Sequence, residues 1–345
     1  MRVLIVRLSS MGDVVQTMPA LSDAARAIPG IRFDWAVDEA FAQVPAWHNY
    51  VDRIFPSGLR RWGKDVVQAI KSREGSEFIK ALRAARYDAI VDLQGEWKSA
   101  LIARVAKGQR HGYDATSAHE WGAHLVYQRK YSVPKREHSI QRMRQLLAQA
   151  LKYSYKQNEL DYGIDRSRLG SVPLTIPRPY LVFIHSTSWA SKVWPESYWQ
   201  ELTVKATAAG FQVLLPWGSP DEQQRSLRIA AGNDRVAVLP GLSISEKALV
   251  LSGAHATVGL DTGLSHIAAA LDIPSVTIYG ATDPFLVGAT GRHQRHVVSD
   301  FECVKCHEVE CTYGKPAAFK PACFVDVKPE QVWLELQHLV NGKTS

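Results

Sequence analysis

Four stretches of this chain hold side chains suited to a phosphorylated ligand, and three of them follow an apolar run. Residues 254–260 are apolar and stop at Asp261-Thr262-Gly263, after which Leu264, Ile267, Ala268 and Leu271 fall at helical spacing. A turn between a strand and a helix presents unpaired N–H groups and the positive end of the helix dipole, which attract anions. Gly263 lets a ligand approach the backbone, and Asp261 could accept hydrogen bonds from sugar hydroxyls. That combination points to a nucleotide sugar, although Asp and Thr at a helix start can also serve as simple caps. Asp13, in the turn after residues 2–8, has the same two readings: a first-turn acid favoured by the dipole, or a general base at the mouth of a sheet. His185-Ser186-Thr187-Ser188 ends a third apolar run, with Lys192 placed to neutralise phosphate if its loop folds back. Glu222 closes Trp217-Gly218-Ser219-Pro220-Asp221-Glu222, the fourth candidate turn.

Two further clusters carry possible chemistry. Arg60, Arg61 and Lys64 surround Trp62 and could clamp phosphates or lie on an anionic membrane, where a solvated helix face is the plainer reading. Cys303, Cys306, Cys311 and Cys323 begin with a Cys-x-x-Cys pair that four-coordinate zinc accepts, but the full spacing fits no trusted zinc pattern. Reduced thiols and no metal are the expectation.

The elements that must position these residues alternate in kind. Strands are expected at residues 2–8, 31–37, 87–93, 180–184, 211–216, 236–239, 254–260 and 275–279, with helices between them, the pattern of parallel α/β sheets. A chain of 345 residues exceeds what one core usually serves. Residues 166–179 hold three prolines without amphipathic period and form the expected linker. The expected division is an N-terminal acceptor-binding domain over 1–165, the linker, and a C-terminal nucleotide-sugar domain over 180–327 that includes the cysteine segment. A last helix over 328–345 is expected to pack back toward the N-terminal domain. Two such α/β domains facing each other across a cleft satisfy the repeated pattern.

Composition bounds the setting. A hydrophobic content of 46% with 22% charged residues belongs to an ordinary globular protein, and no run is long enough to span a bilayer. With no signal-peptide pattern, a cytoplasmic location is expected. The net charge of +7 calls for an anionic partner, and basic residues concentrate in the first half, at Lys107, Arg110, His111, Arg129, Lys130, Lys135, Arg136, His138, Arg142 and Arg144. That concentration assigns the anionic partner to the N-terminal domain. Nucleic acid is a poor candidate, because no helix-turn-helix, RNP pattern or zinc finger accompanies the charge.

The chain resembles the lipopolysaccharide core heptosyltransferases, glycosyltransferases of the GT-B type, and among them most closely the members that add the first heptose. The likeness is carried by SSMGDVVQTMPAL, FDWAVDEAFAQVPAWH, the RRW at residues 60–62, DLQGEWKSA, KVWP at 192–195, LPWGSPDE and DTGLSHIAAALDIPSVTIYGATDP, which span both halves. The cysteine tail looks more like that of the second-heptose enzymes. The resemblance implies transfer of L-glycero-D-manno-heptose from ADP-heptose to the first Kdo of Kdo2-lipid A, with inversion and without a required metal or cofactor. It implies Asp13 as catalytic base and Lys192 at the donor phosphates. Asp261, Thr262 and Gly263 then form the donor turn, and Ser186, Thr187, Glu222, Leu242 and His266 line the donor pocket. Peripheral attachment to the cytoplasmic face of the inner membrane goes with it. Addition of the second heptose and a nucleotide-sugar epimerase of the same fold are the alternatives.

Overall fold

In a computed structural model describing residues 1–63, 72–172 and 174–341, the chain forms two compact units, Met1–Arg168 and Leu169–Ser345. The first unit contains a six-stranded, fully parallel sheet. Its strands are β1 (Arg2–Val6), β2 (Arg32–Asp38), β3 (Val51–Ser57), β4 (Ala89–Asp92), β5 (Arg110–Tyr113) and β6 (Arg129–Tyr131), in the order β3-β2-β1-β4-β5-β6. Val3, Leu4, Ile5 and Val6 are fully buried, as a central parallel strand covered on both faces requires. Its helices include α1 (Met11–Ala27), α2 (Glu74–Arg83), α3 (Trp97–Val105) and α4 (Ser139–Leu151). Helix α1 is buried along Val14, Val15, Met18 and Leu21, so the turn preceding it is held by a rigid element.

The second unit repeats the plan. Strands β7 (Tyr180–Ile184), β8 (Gln212–Leu215), β9 (Val236–Val238), β10 (Ala256–Leu260), β11 (Ser275–Tyr279) and β12 (Gln294–Val298) are all parallel, in the order β12-β11-β10-β7-β8-β9. Helices α5 (Glu196–Ala208), α6 (Pro220–Ala230), α7 (Ile244–Ser252), α8 (Gly263–Ala270) and α9 (Pro329–Asn341) belong to it. Trp194 and Trp199 anchor its core, their rings edge-on at 5.1 Å beside Phe183. In both sheets the strand order reverses beside the first strand of the unit, between β1 and β4 and between β7 and β10. Open α/β sheets bind ligands at such switch points, outside the carboxyl ends of the strands.

The last helix buries Val332, Trp333 and Leu336 in the core of the second unit. One expectation is corrected here: the basic residues of the first half are not all surface charge. Arg144 is fully buried, donates to both carboxylate oxygens of Asp23 at 2.5 and 3.2 Å, and satisfies the carbonyls of Lys156, Gln157 and Glu159. His111 is buried as well, and burial lowers its pKa to about 4, so it carries no charge at neutral pH. Strands β5 and β6 gave no apolar run because they are short and carry Arg110, His111, Arg129 and Lys130, which had been read as part of a basic patch.

Candidate active site

Asp13 sits at the first of the two switch points. Ser10 ends the turn after β1 and begins α1, and its N–H and hydroxyl donate to Asp13 Oδ2 at 2.9 and 2.8 Å. The other oxygen, Oδ1, lies 2.7 Å from Arg7 Nη2, and the same guanidinium donates through Nη1 to Leu93 O at 3.0 Å. Leu8 N–H reaches Gln94 Oε1 at 2.7 Å. The loops after β1 and β4 are therefore tied together, and the carboxylate is fixed by both. Its side chain keeps 28% of its surface exposed, so it is fixed without being enclosed. Asp13 is thus a helix cap and also an accessible, oriented carboxylate.

In the second unit the candidate donor residues gather outside the carboxyl ends of successive strands. Ser186, Thr187 and Lys192 follow β7, Glu222 opens α6 after β8, Leu242 lies between β9 and α7, and Asp261, Thr262, Gly263 and His266 follow β10. Because β7 and β10 are neighbours, their loops meet. Lys192 Nζ is 2.7 Å from Asp261 Oδ2 and 4.2 Å from the centre of the Trp189 ring. Thr187 donates to Asp261 O at 3.1 Å, and Thr282, from the loop after β11, donates to Asp261 Oδ2 at 2.7 Å. His266 Nε2 stands 3.6 Å from Oδ1. Burial alone would push the Asp261 carboxyl up; the hydrogen bond from His266 and the charge of Lys192 outweigh it and hold the group well below the usual carboxylate range. Asp261 is therefore an ionised, buried hub whose oxygens serve protein donors. The first N–H groups of α8 have no intrahelical partners and, with the Lys192 ammonium, are the groups of this turn that favour an anion.

A second network joins Ser186 to the helix of Glu222. Ser226 Oγ donates to Glu222 O at 3.0 Å, His185 Nε2 lies 2.8 Å from Ser226 Oγ, and His185 Nδ1 lies 2.8 Å from Ser186 Oγ. With the Ser226 proton committed to the carbonyl, Nε2–H donates to Ser226 and Nδ1 accepts from Ser186. The Ser186 hydroxyl is thereby turned inward. Burial, reinforced by the Arg225 charge, lowers the His185 pKa to about 3, which keeps the ring neutral as this chain of bonds requires. The Glu222 carboxylate accepts from Gly218 N–H at 2.5 Å, with Lys247 close by.

Sequence reasoning missed Arg7, His185, Ser226 and Thr282. Only Thr282 left a signal, an exact repeat of the strand-then-polar-turn pattern in Tyr279-Gly280-Ala281-Thr282-Asp283. The acceptor candidates have partners of their own. Arg61, on the short helix Leu59–Trp62, pairs with Glu39 at 2.9 Å and Glu74 at 2.6 Å, while Arg60 lies 3.6 Å from Asp38 and over the Phe41 ring. Lys64 falls outside the described residues. The four cysteines line one cavity of about 280 Å³ as free thiols, and among the described residues no group of three or more His, Cys, Asp or Glu side chains is arranged to hold a metal.

The profile of glycosyltransferase family 9 (heptosyltransferase) matches residues 76–317. Over 99% of its length the chain is 45% identical to lipopolysaccharide heptosyltransferase 1 of Pseudomonas aeruginosa, covering 98% of that protein. The chain belongs to glycosyltransferase family 9. Its fold is that of the GT-B heptosyltransferases: the structure of Escherichia coli heptosyltransferase WaaC with ADP superposes with a TM-score of 0.87 at 41% identity, over 98% of this chain and all of that one. A second WaaC structure, with ADP-2-deoxy-2-fluoro heptose, gives 0.79 at 46% identity over 86% of this chain and 93% of that one. Lipopolysaccharide heptosyltransferase 2 of Salmonella typhimurium, by contrast, is only 25% identical over 99% of both chains. This family 9 chain is a glycosyltransferase of lipopolysaccharide synthesis, and the proteins named heptosyltransferase 1 are nearer to it than heptosyltransferase 2 in spite of the cysteine tail.

Proposed function

We propose that this enzyme transfers L-glycero-D-manno-heptose from ADP-heptose to the first Kdo of Kdo2-lipid A, inverting the anomeric centre, with Asp13 as general base. Single-step inversion needs a base that takes the acceptor hydroxyl proton on the sugar face away from the leaving ADP. Asp13 is a fixed, accessible carboxylate at a switch point and suits that role. As the bond to ADP breaks, negative charge grows on the diphosphate. Lys192 and the N–H groups at the start of α8 stabilise that charge more in the transition state than in the ground state, which is where stabilisation raises the rate. Asp261 holds Lys192 in place, and Ser186, Thr187, Glu222, Leu242 and His266 bound the rest of the donor site.

Arg60 is the acceptor-side cation with the freer guanidinium and takes the anionic groups of Kdo2-lipid A; Arg61, bound to two carboxylates, shapes that segment. The enzyme works at the cytoplasmic face of the inner membrane, where its acceptor is anchored; no helix among the described residues is long and apolar enough to cross a membrane. The observation that carries the reading is the near-complete, 45% identical match to a heptosyltransferase 1. Purified protein given ADP-heptose should add heptose to Kdo2-lipid A that lacks heptose. Preference for an acceptor already bearing one heptose would overturn the assignment in favour of the second step.

A further inference from the structure

The described residues expose few large apolar side chains, and four of them crowd one corner of the first unit. Trp121 is 81% exposed, Leu125 64%, Leu101 56% and Trp97 42%. Trp97 and Leu101 are one turn apart on α3 and share its outer face. Trp121 precedes the short helix Ala123–Val126 and Leu125 lies on it; this helix packs on α3 through Ala100, Ala123 and Tyr127, and Gly122 sits beneath the Trp97 ring. These side chains form one patch held on rigid elements, and a patch of this kind marks an interaction site.

Its charge identifies the partner. Lys98 and Arg104 are exposed on the same helix as Trp97 and Leu101, and Arg129 and Lys130 are exposed on the edge strand β6 that follows. Of the nearby acids, Glu120 accepts from Trp97 N–H at 2.7 Å and Glu96 from Gln94 at 2.7 Å. Tryptophan and leucine ringed by lysine and arginine fit the boundary layer of an anionic bilayer, where indole rings settle at headgroup depth and basic residues meet lipid phosphates.

Position supports the same partner. Helix α3 leaves the loop after β4, which Arg7 and Leu8 tie to the turn of Asp13 through Leu93 O and Gln94. The patch therefore begins beside the loop that fixes the Asp13 carboxylate. We infer that the face built from Trp97, Leu101, Trp121 and Leu125 with its basic rim docks on anionic lipid and holds Asp13 at the headgroup level of a membrane-embedded acceptor. This inference rests on the lipid-anchored acceptor proposed above.

The test compares wild type with the triple variant Leu101→Ser, Trp121→Ser, Leu125→Ser, which alters exposed side chains only, and with Lys98→Glu, Arg104→Glu. Sedimentation with vesicles of phosphatidylglycerol and phosphatidylcholine should show binding of wild type, weakened by salt and by omission of phosphatidylglycerol. Each variant should bind roughly tenfold or more weakly. Transfer to acceptor embedded in the same vesicles should fall in parallel, while transfer to a deacylated, water-soluble acceptor should stay at the wild-type rate. Unchanged vesicle binding by both variants would overturn the surface and leave the transferase reading intact. Loss of a dimer in light scattering on the triple variant, with vesicle binding kept, would make the patch a contact between copies and also overturn it. Vesicle binding through the patch in a protein that transfers no heptose to either acceptor would instead sink the function proposed above.

Discussion

Arg7 Nη2 stands 2.7 Å from Asp13 Oδ1, while Ser10 holds Oδ2 from the other side. The arrangement lets the two roles of Asp13 be separated. Asn keeps an oxygen for the Ser10 N–H and hydroxyl but cannot take a proton. Asp13→Asn should therefore stay folded, with near-normal affinity for ADP-heptose, yet lose transfer by about 10³-fold or more. Turnover within tenfold of wild type would reduce Asp13 to a helix cap.

Arg7 touches the base and Leu93 O together, so it acts as a positioning residue. Arg7→Ala should lower kcat roughly 10- to 100-fold, because a small misplacement of a reacting group has that scale of effect, while the KM for ADP-heptose stays within about threefold. Arg7→Lys, which keeps the charge but not both bonds, should recover part of the loss. An equal loss in both variants, carried by donor KM, would show that Arg7 serves the donor instead.

Lys192 and Asp261 form a pair with little exposure on either side. Lys192→Ala should reduce kcat/KM for ADP-heptose by about 10²-fold, the scale of losing one preorganised donor to a developing charge. Asp261→Asn should do damage by another route. It leaves the ammonium without its partner and removes acceptors used by Thr282, and breaking a buried pair costs on the order of 3 kcal/mol of stability. Both variants should melt at a lower temperature, since each leaves one charge of the pair without its partner, with the larger drop for Asp261→Asn, which also weakens the Thr282 contact. Equal melting temperatures with unchanged donor kinetics would remove both residues from the site.

Three buried histidines give the fold a pH dependence. Burial lowers His48 and His111 to about 4 and His185 to about 3, against an unfolded value of 6.5. Between those values the unfolded chain binds protons that the folded chain does not, so stability rises with pH there. Their contribution is complete above about pH 6.5 and is lost as pH falls toward about 4, by up to roughly 3 kcal/mol for each histidine. Urea unfolding followed from pH 7.5 down to about 5 should show this loss, and His48→Gln should flatten it. A curve as steep in the variant as in wild type would mean that His48 does not take part.

The sequence announced its central strands and the turns after them, because residues 3–6, 180–184 and 256–260 are buried on both faces and are almost entirely apolar. It did not announce β3, β5, β6 or β12; the edge strands among them can carry Arg53, Arg129, Lys130 or Arg295 and still pair. The same limit applies within the site. The turn of Asp261 was legible from its Gly and its helix, but its pairing with Lys192 and Thr282 depends on β7, β10 and β11 lying side by side, which is topology rather than local pattern. Arg144 shows the converse error: composition counts it with the cations of a binding face, and only packing reveals that Asp23 and three carbonyls consume it.

The cysteines offer a last measurement, since all four border one cavity in quite different surroundings. Cys306 is exposed, whereas burial, aided by the neighbouring thiols, pushes Cys323 up to about 12. Burial also raises Cys303. Only a thiolate attacks an alkylating reagent, so at about pH 8 brief iodoacetamide treatment of the native protein should label Cys306 first and leave Cys323 unlabelled, with all four reacting after denaturation. The reaction also reports on the arrangement itself. Protection of Cys306 together with the other three in the native protein, released by a chelator, would show the thiols gathered on a metal ion, and would overturn the assignment of this cavity as a group of free thiols.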